Sequence, residues 1–209
     1  MIKRFVVILL LLLTYTNCRS QSKVKQYRVL TAIEKKWVRH HPLAALKVFH
    51  INAIVNKEVN ECSEKKLVDT LFNGGTADAF RHCYWMALCA QKIGIRKAIS
   101  LGESHERGNR EQFEKGTTDD AVLQDSISCM MDLYNNKVGA GIVQNIKHKN
   151  TDILKINSLA KIEAGELKIM RRNNQNQFID YEGNEVVKPK GAQRKWNLPY
   201  CLVPSNQYP

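Results

Sequence analysis

The sequence predicts a mostly α-helical fold, with a single helical-bundle domain of about five to seven helices and a small C-terminal hairpin or irregular tail. Three observations support this prediction. Apolar residues recur at helical spacing in several segments between residues 31 and 164. These segments begin at residues that favour helix N-caps and several stop at glycines. Hydrophobic residues make up 44% of the 209-residue chain, which is enough for a real core.

The first two helices are predicted from their start signals. Thr31 suits an N-cap, and Glu34 three residues later completes a capping box for a helix over AIEKKWVRH. Pro42 suits the first turn of a second helix, whose apolar residues continue through 43–59. A short helix is expected over 64–72.

The central helices follow from glycines and caps. Asn73-Gly74-Gly75 predicts a turn before a helix that stops at Gly94. The remaining predictions for this part of the chain are a helix over 95–106, a polar loop over 107–116, an N-cap cluster at 117–120, and a helix over 121–146 broken near Asn135-Asn136 or Gly139.

The chain is divided into three parts by these patterns. Asn150 is predicted to cap a last helix that ends near Ala164, and a Glu-Gly-Asn turn within 177–187 predicts a hairpin. We therefore expect a signal at 1–20, a helical domain at 21–165 with its motif core at 70–145, and a C-terminal hairpin and tail at 166–209.

The first 20 residues are typical of a bacterial secretory signal. Lys3 and Arg4 precede a purely apolar run over 5–13 that is short for a transmembrane helix. Cleavage before Gln21 and acylation of Cys18 as a lipoprotein cysteine are both compatible with the sequence, and an uncleaved anchor is a third alternative. We expect an exported protein, periplasmic, anchored to the outer membrane or extracellular, whose only membrane contact is its signal or a lipid anchor.

The chain is basic, but its positive charges are not concentrated in one segment. The formal net charge is +12, and its Lys and Arg are scattered along the chain without a dense run. This pattern gives no specific nucleic-acid signature. Five cysteines follow the signal, and export permits disulfides; we expect a tether between Cys62 and Cys201.

Buried polar residues mark the candidate site. Asp78 and His82 are four residues apart, hence on one face of an almost wholly apolar helix, with Arg81 beside them. Two later helices repeat the anomaly, with His105-Glu106 in one and Asp132, Asn135 and Asn136 in the other. Buried charges are costly unless they pair or bind something.

The mixture of imidazole and carboxylate predicts a metal site between helices. The candidate ligands are Asp78, His82, His105 and Asp132. A set of imidazole and carboxylate ligands without thiolates suits zinc or manganese better than it suits a structural cysteine site. The candidate catalytic residues, which would transfer protons, hold an anionic group or orient water, are Arg81, His82, Glu106, Asn135 and Asn136.

A structural interpretation of the same residues stays open. Asp78 lies in the first turn of its helix and suits the helix dipole, and Arg81 suits a buried ion pair with Glu106. Asn135-Asn136 suits a helix end. In this interpretation the polar residues fix the packing of the helices and carry no chemistry.

Three segments resemble an uncharacterised bacterial domain family. They are NGGTADAFRHCYW (73–85), GESHE (102–106) and MDLYNNKVG (131–139), and the chain departs from the usual pattern only by Cys83 in place of alanine. The resemblance implies a secreted protein or a module of a toxin-like chain, with no settled activity. The order of His, His-acid and Asp is also similar to that of HD-type phosphohydrolases, although Glu106 stands where Asp is usual.

Two functional hypotheses follow. The first is an exported metal-dependent hydrolase that acts on a small or polymeric anionic substrate. The second is a non-catalytic binding or interaction module of the cell envelope, in which the polar residues form a structural network. A secreted effector acting on nucleic acid or lipid is a third alternative.

Overall fold

A computed structural model describes residues 26–117, 125–144, 146, 150–189 and 195–207 of the chain. The predicted signal at 1–20 and most of the predicted cap cluster at 117–120 lie outside these residues. The helices are α1 (Ala32–His40), α2 (Pro42–Glu64), α3 (Thr76–Ile93), α4 (Ile95–Glu114), α5 (Ser126–Ile142) and α6 (Thr151–Glu163). The prediction of a mostly α-helical fold is confirmed. Among the described residues, no helix has the length and apolarity that crossing a membrane would require.

Helix α3 lies at the centre of the bundle, in contact with α2, α4, α5 and α6. Small residues along it let neighbouring helices approach, and Phe80 and Tyr84 stack one turn apart with ring centroids separated by 5.4 Å. The closest approach is to α5, where Gly139 lies against the backbone of Cys83. Polar residues on α3 are therefore placed in the core by the position of the whole helix.

The predicted start signals of three helices are confirmed. Thr31 and Glu34 form the capping box of α1, Pro42 lies in the first turn of α2, and Asn150 caps α6 by accepting from the Ile153 N–H. Gly94 ends α3 with a φ of +85° that an L side chain rarely adopts.

The predicted short helix over 64–72 is wrong. α2 runs to Glu64, and Lys66 with a φ of +57° turns the chain out of the helix. Asp69 then folds back on the start of α3, where its carboxylate accepts from the Thr76 N–H at 2.7 Å and the Ala77 N–H at 3.0 Å. The segment ends one helix and caps the next.

The predicted polar loop over 107–116 is also wrong, because α4 continues to Glu114. An ion pair at i, i+4 spacing, Arg110 to Glu114 at 2.8 Å, supports the extra turns, and Gly108 lets Thr31 pack against this part of the helix. Helix α5 begins at Ser126 after an Asp125 cap and runs to Ile142, so the predicted break near Asn135-Asn136 or Gly139 is wrong.

The C-terminal segment forms a small antiparallel sheet that the sequence did not predict. Strands β1 (Lys168–Met170) and β2 (Leu202–Pro204) pair with Ile169 opposite Val203. A single bridge from Ile179 to Glu185 marks the expected hairpin. A 3₁₀ turn over Ser205–Gln207 follows β2.

The expected tether between Cys62 and Cys201 is wrong. All five cysteines that follow the predicted signal are described, buried and free. Cys62 belongs to the main hydrophobic core, and Cys201 lies beside β2.

Candidate metal centre

The turn before α3 fixes the first candidate ligand. Asp78 Oδ2 accepts the backbone N–H of Gly74 at 2.7 Å, and Gly74 has a φ of +77°. The Gly74 carbonyl in turn accepts the N–H of Met170 at the end of β1. The Asn-Gly-Gly turn thus holds the Asp78 carboxylate inside the first turn of the helix, with Oδ1 directed towards Arg81 and His82.

His82 joins the carboxylates of two helices. Its Nε2 lies 3.6 Å from Asp78 Oδ1 and 3.4 Å from Asp132 Oδ1 on α5. Each of the three residues is buried and offers one ligand atom, and these atoms all lie within 4.8 Å of one another. We call these residues the Asp–His–Asp group. Imidazole and carboxylate atoms at this spacing could hold a divalent ion.

The electrostatics of the group favour a cation. Burial lowers the pKa of His82 well below its usual value, and Arg81 and His105 lower it further, so the imidazole is neutral and has a lone pair for an ion. Burial raises the pKa of Asp132 well above its usual value, and the charges of Asp78 and Glu106 add to this effect. A positive ion would relieve that repulsion.

Several polar atoms in and beside the group are buried and make no hydrogen bond of good geometry among the described residues. They are His82 Nδ1, Asp132 Oδ1, Glu106 Oε1 and both amide atoms of Asn136. The Asn136 amide lies near the His82 ring and the Glu106 carboxylate near the Cys129 thiol, so these contacts are weak. Buried polar atoms are nearly always hydrogen-bonded, and a concentration of exceptions needs an explanation. A ligand at this position would provide one.

Arg81 is the existing cation at the group. Its Nη2 donates to Asp78 Oδ1 at 2.5 Å and lies 3.2 Å from His82 Nε2. The Arg81 side chain is 36% exposed, whereas those of Asp78 and His82 are buried. It therefore links the group to the solvent-facing side.

A pocket of about 380 Å³ leads to His82 and Arg81 from the side of α1 and α2. Its walls are largely apolar and include Trp37, Phe49 and Trp85, and Trp85 Nε1 donates to Asn52 Oδ1 at 2.8 Å. Ligand sites for small molecules are commonly concave, apolar and of this size.

The structure brings together some of the predicted site residues. Asp78, His82 and Asp132 form the group, and Arg81, Glu106 and Asn136 lie beside it. The predicted ligand His105 is not part of it, because its Nδ1 is 2.9 Å from Glu34 Oε1 at the pocket wall. From the sequence, Glu34 is predicted only as a capping residue, and Trp37, Phe49 and Asn52 are not predicted as pocket residues.

Asn135, a predicted catalytic residue, is instead bonded to the sheet. Its Nδ2 donates to the Lys168 carbonyl and its Oδ1 accepts the Lys168 N–H, each at 2.9 Å. Both functional ends of the amide are therefore used to hold β1 against α5.

Replacing Asn135 with alanine is expected to destabilise the fold by about 1–3 kcal/mol, because it leaves two backbone groups of Lys168 unpaired. Urea unfolding of Asn135→Ala measures the loss. A variant as stable as wild type would contradict the structural role given to this amide.

Fold and site together define an all-α protein with a buried candidate metal centre between two helices. One member of this centre, His82, lines a pocket. A family model described as Domain of unknown function (DUF6973) matches residues 35–166. The match covers more than half of the chain, so the chain belongs to this family. No curated protein and no solved structure shows a significant match.

Proposed function

We propose that the protein is an exported hydrolase that uses a divalent ion, zinc or manganese, held by Asp78, His82 and Asp132. The observation that carries the proposal is a buried group with metal-ligand spacing, which is surrounded by buried polar atoms without well-formed hydrogen bonds and whose His82 lines a pocket. Perturbed ionisable groups in a cleft are typical of functional sites.

The residues around the group suit hydrolysis of a small anionic substrate. A bound ion would activate water and polarise the bond to be cleaved. Arg81 lines the pocket and is partly exposed, so its guanidinium can turn from Asp78 to a carboxylate or phosphate of the substrate. Glu106 and Asn136 place polar atoms beside the group with which to orient a water molecule.

Metal analysis of protein purified without a histidine tag tests the proposal. We expect about one zinc or manganese ion per chain, and a rise in melting temperature when either metal is added to chelator-treated protein. Asp132→Asn should lose both effects, whereas Asp125→Asn, which changes the buried carboxylate that caps the same helix, should keep them. Absence of bound metal together with absence of a melting shift would refute the proposal.

The alternative is a non-catalytic binding module of the cell envelope in which the group is a structural network. The contacts of Arg81 with both Asp78 and His82 favour it, since a guanidinium there already supplies a positive charge. In this alternative the contact between His82 and Asp132 stabilises the packing of α3 on α5, and no ion is bound.

A further inference from the structure

His105 and Glu34 form a dyad on the wall of the pocket. His105 Nδ1 lies 2.9 Å from Glu34 Oε1, although the two residues are 71 positions apart in sequence. Because Glu34 is an acceptor only, the contact places the proton of the neutral imidazole on Nδ1. Nε2 then carries a lone pair, and it has no hydrogen-bond partner among the described residues.

Glu34 is itself held rigidly. Its second oxygen, Oε2, accepts from the Thr31 N–H at 2.8 Å and from the Thr31 hydroxyl at 2.9 Å. Thr31 packs against Gly108, where an added Cβ would lie 2.5 Å from its hydroxyl oxygen. Gly108 follows His105 by about one turn of α4, so the same helix contact fixes both members of the dyad.

The dyad faces the same pocket as the Asp–His–Asp group. Glu34 and His105 line this pocket together with His82 and Arg81. The His105 ring lies beside the indole of Trp85, at 6.4 Å between centroids, and its side chain is 43% exposed. A partly exposed imidazole fixed by a buried carboxylate is an arrangement that serves proton transfer in unrelated enzymes.

We propose that His105 is the proton-transfer residue of the pocket and that Glu34 is its positioning residue, an assignment that rests on the proposed hydrolase function. Nε2 accepts a proton from water while the water oxygen bonds to the electrophilic carbon or phosphorus of the substrate. The bond to the leaving group then breaks, and the leaving group takes that proton from the imidazolium. His105 is one of the metal ligands predicted from the sequence, and in this proposal it transfers protons instead.

The charges around His105 make its imidazole a stronger base than a free one. Burial lowers the pKa of His105, but the hydrogen bond to Glu34 and the charges of Glu106 and Glu34 outweigh burial and raise it overall. Arg81 and His82 on α3 are the cationic and titratable groups on the opposite side. The base form of His105 should therefore appear at a higher pH than that of a free imidazole.

Hydrolysis of p-nitrophenyl acetate by chelator-treated protein tests the proposal, because this activated ester reports imidazole reactivity without a metal. We expect His105→Gln to lower the second-order rate constant at least about tenfold. His50→Gln, which changes an exposed histidine on α2, should leave the rate unchanged. Glu34→Gln should move the midpoint of the rate–pH profile to lower pH, since it removes the carboxylate charge; a purely structural Glu34 would not move that midpoint.

A second measurement, made on the wild-type protein, tests the proposal even when a variant does not fold. Diethyl pyrocarbonate should modify His105 of the wild-type protein at its free Nε2, as located by peptide mass spectrometry, and faster in wild type than in Glu34→Gln at a pH above both midpoints. An unreactive His105, or an ester rate that is equal in His105→Gln and wild type, would overturn the proposal. Metal binding is measured separately, so loss of the metal result with retention of the ester result would refute only the metal centre.

Discussion

Replacing Gly139 with alanine is expected to lower the stability of the protein more than alanine at any other glycine inside the described helices. A Cβ at Gly139 would lie 2.1 Å from the carbonyl oxygen of Cys83, and 2.8 Å from its carbonyl carbon. These are backbone atoms of α3, so no side chain can turn away, and α3 and α5 must separate. Overpacking of this kind costs about 1–3 kcal/mol and can exceed that range.

The same change should disturb the candidate metal centre. Helix α5 carries Asp132 and α3 carries Asp78 and His82, so separation of the two helices pulls the ligand atoms apart. We expect urea unfolding to show a large loss of stability and metal analysis to show weaker binding in the same variant.

Gly141 offers a matched control two residues away on the same helix. A Cβ added there meets nothing within 4 Å. Alanine in place of glycine inside a helix then gains about 0.5–1 kcal/mol from backbone entropy. If Gly139→Ala were as stable as Gly141→Ala, the close approach of α3 and α5 would be refuted.

The helix boundaries that could be predicted from the sequence are those set by local chemistry. Thr31, Asn150 and Gly94 act through hydrogen bonds or backbone angles within a few residues of themselves, and their effects can be read without the fold. The predicted helix boundaries are wrong where a contact between residues distant in sequence determines the boundary. Asp69 leaves its helical pattern to cap α3, and α4 continues past Gly108 because Thr31 packs there.

The candidate site also contains residues whose contacts could be predicted from the sequence and residues whose contacts could not. Asp78 and His82 could be paired from the sequence because positions four apart share one helix face. Asp132 was included because it interrupts an apolar helix, and the structure brings it to His82. His105 and Asn135 carry the same residue types, but their partners, Glu34 and Lys168, come from elements that no spacing rule connects to them.

Replacing Asp132 with asparagine is expected to stabilise the metal-free protein at neutral pH and to abolish its stabilisation by metal. Burial, with Asp78 and Glu106 nearby, raises the pKa of Asp132 in the folded state well above 3.8. A carboxyl with a raised folded pKa favours folding only while it is protonated. Its contribution is fully present below about pH 3.8, and is lost as pH rises through the folded pKa.

At pH values well above 3.8 the wild-type protein without metal must either take up a proton at Asp132 or bury an ionised carboxylate, and asparagine avoids both costs while keeping the shape. We expect a gain of about 1–3 kcal/mol near pH 7 and little difference below pH 4. Urea unfolding with chelator at several pH values measures the difference, and repeating it with excess zinc should reverse the order, since only the wild type binds the ion.

Whether Asp132→Asn raises or lowers the free energy of unfolding of the metal-free protein distinguishes the two candidate functions. If the contact between Asp132 and His82 is a structural pair, removing the carboxylate charge breaks it and the variant is less stable at every pH at which wild-type Asp132 is ionised. If the carboxylate is kept for an ion, the metal-free wild type is the less stable protein. Asp125→Asn, which alters a buried helix cap outside the group, should show no zinc-dependent reversal. A destabilised Asp132→Asn that ignores zinc would therefore favour the binding module over the hydrolase.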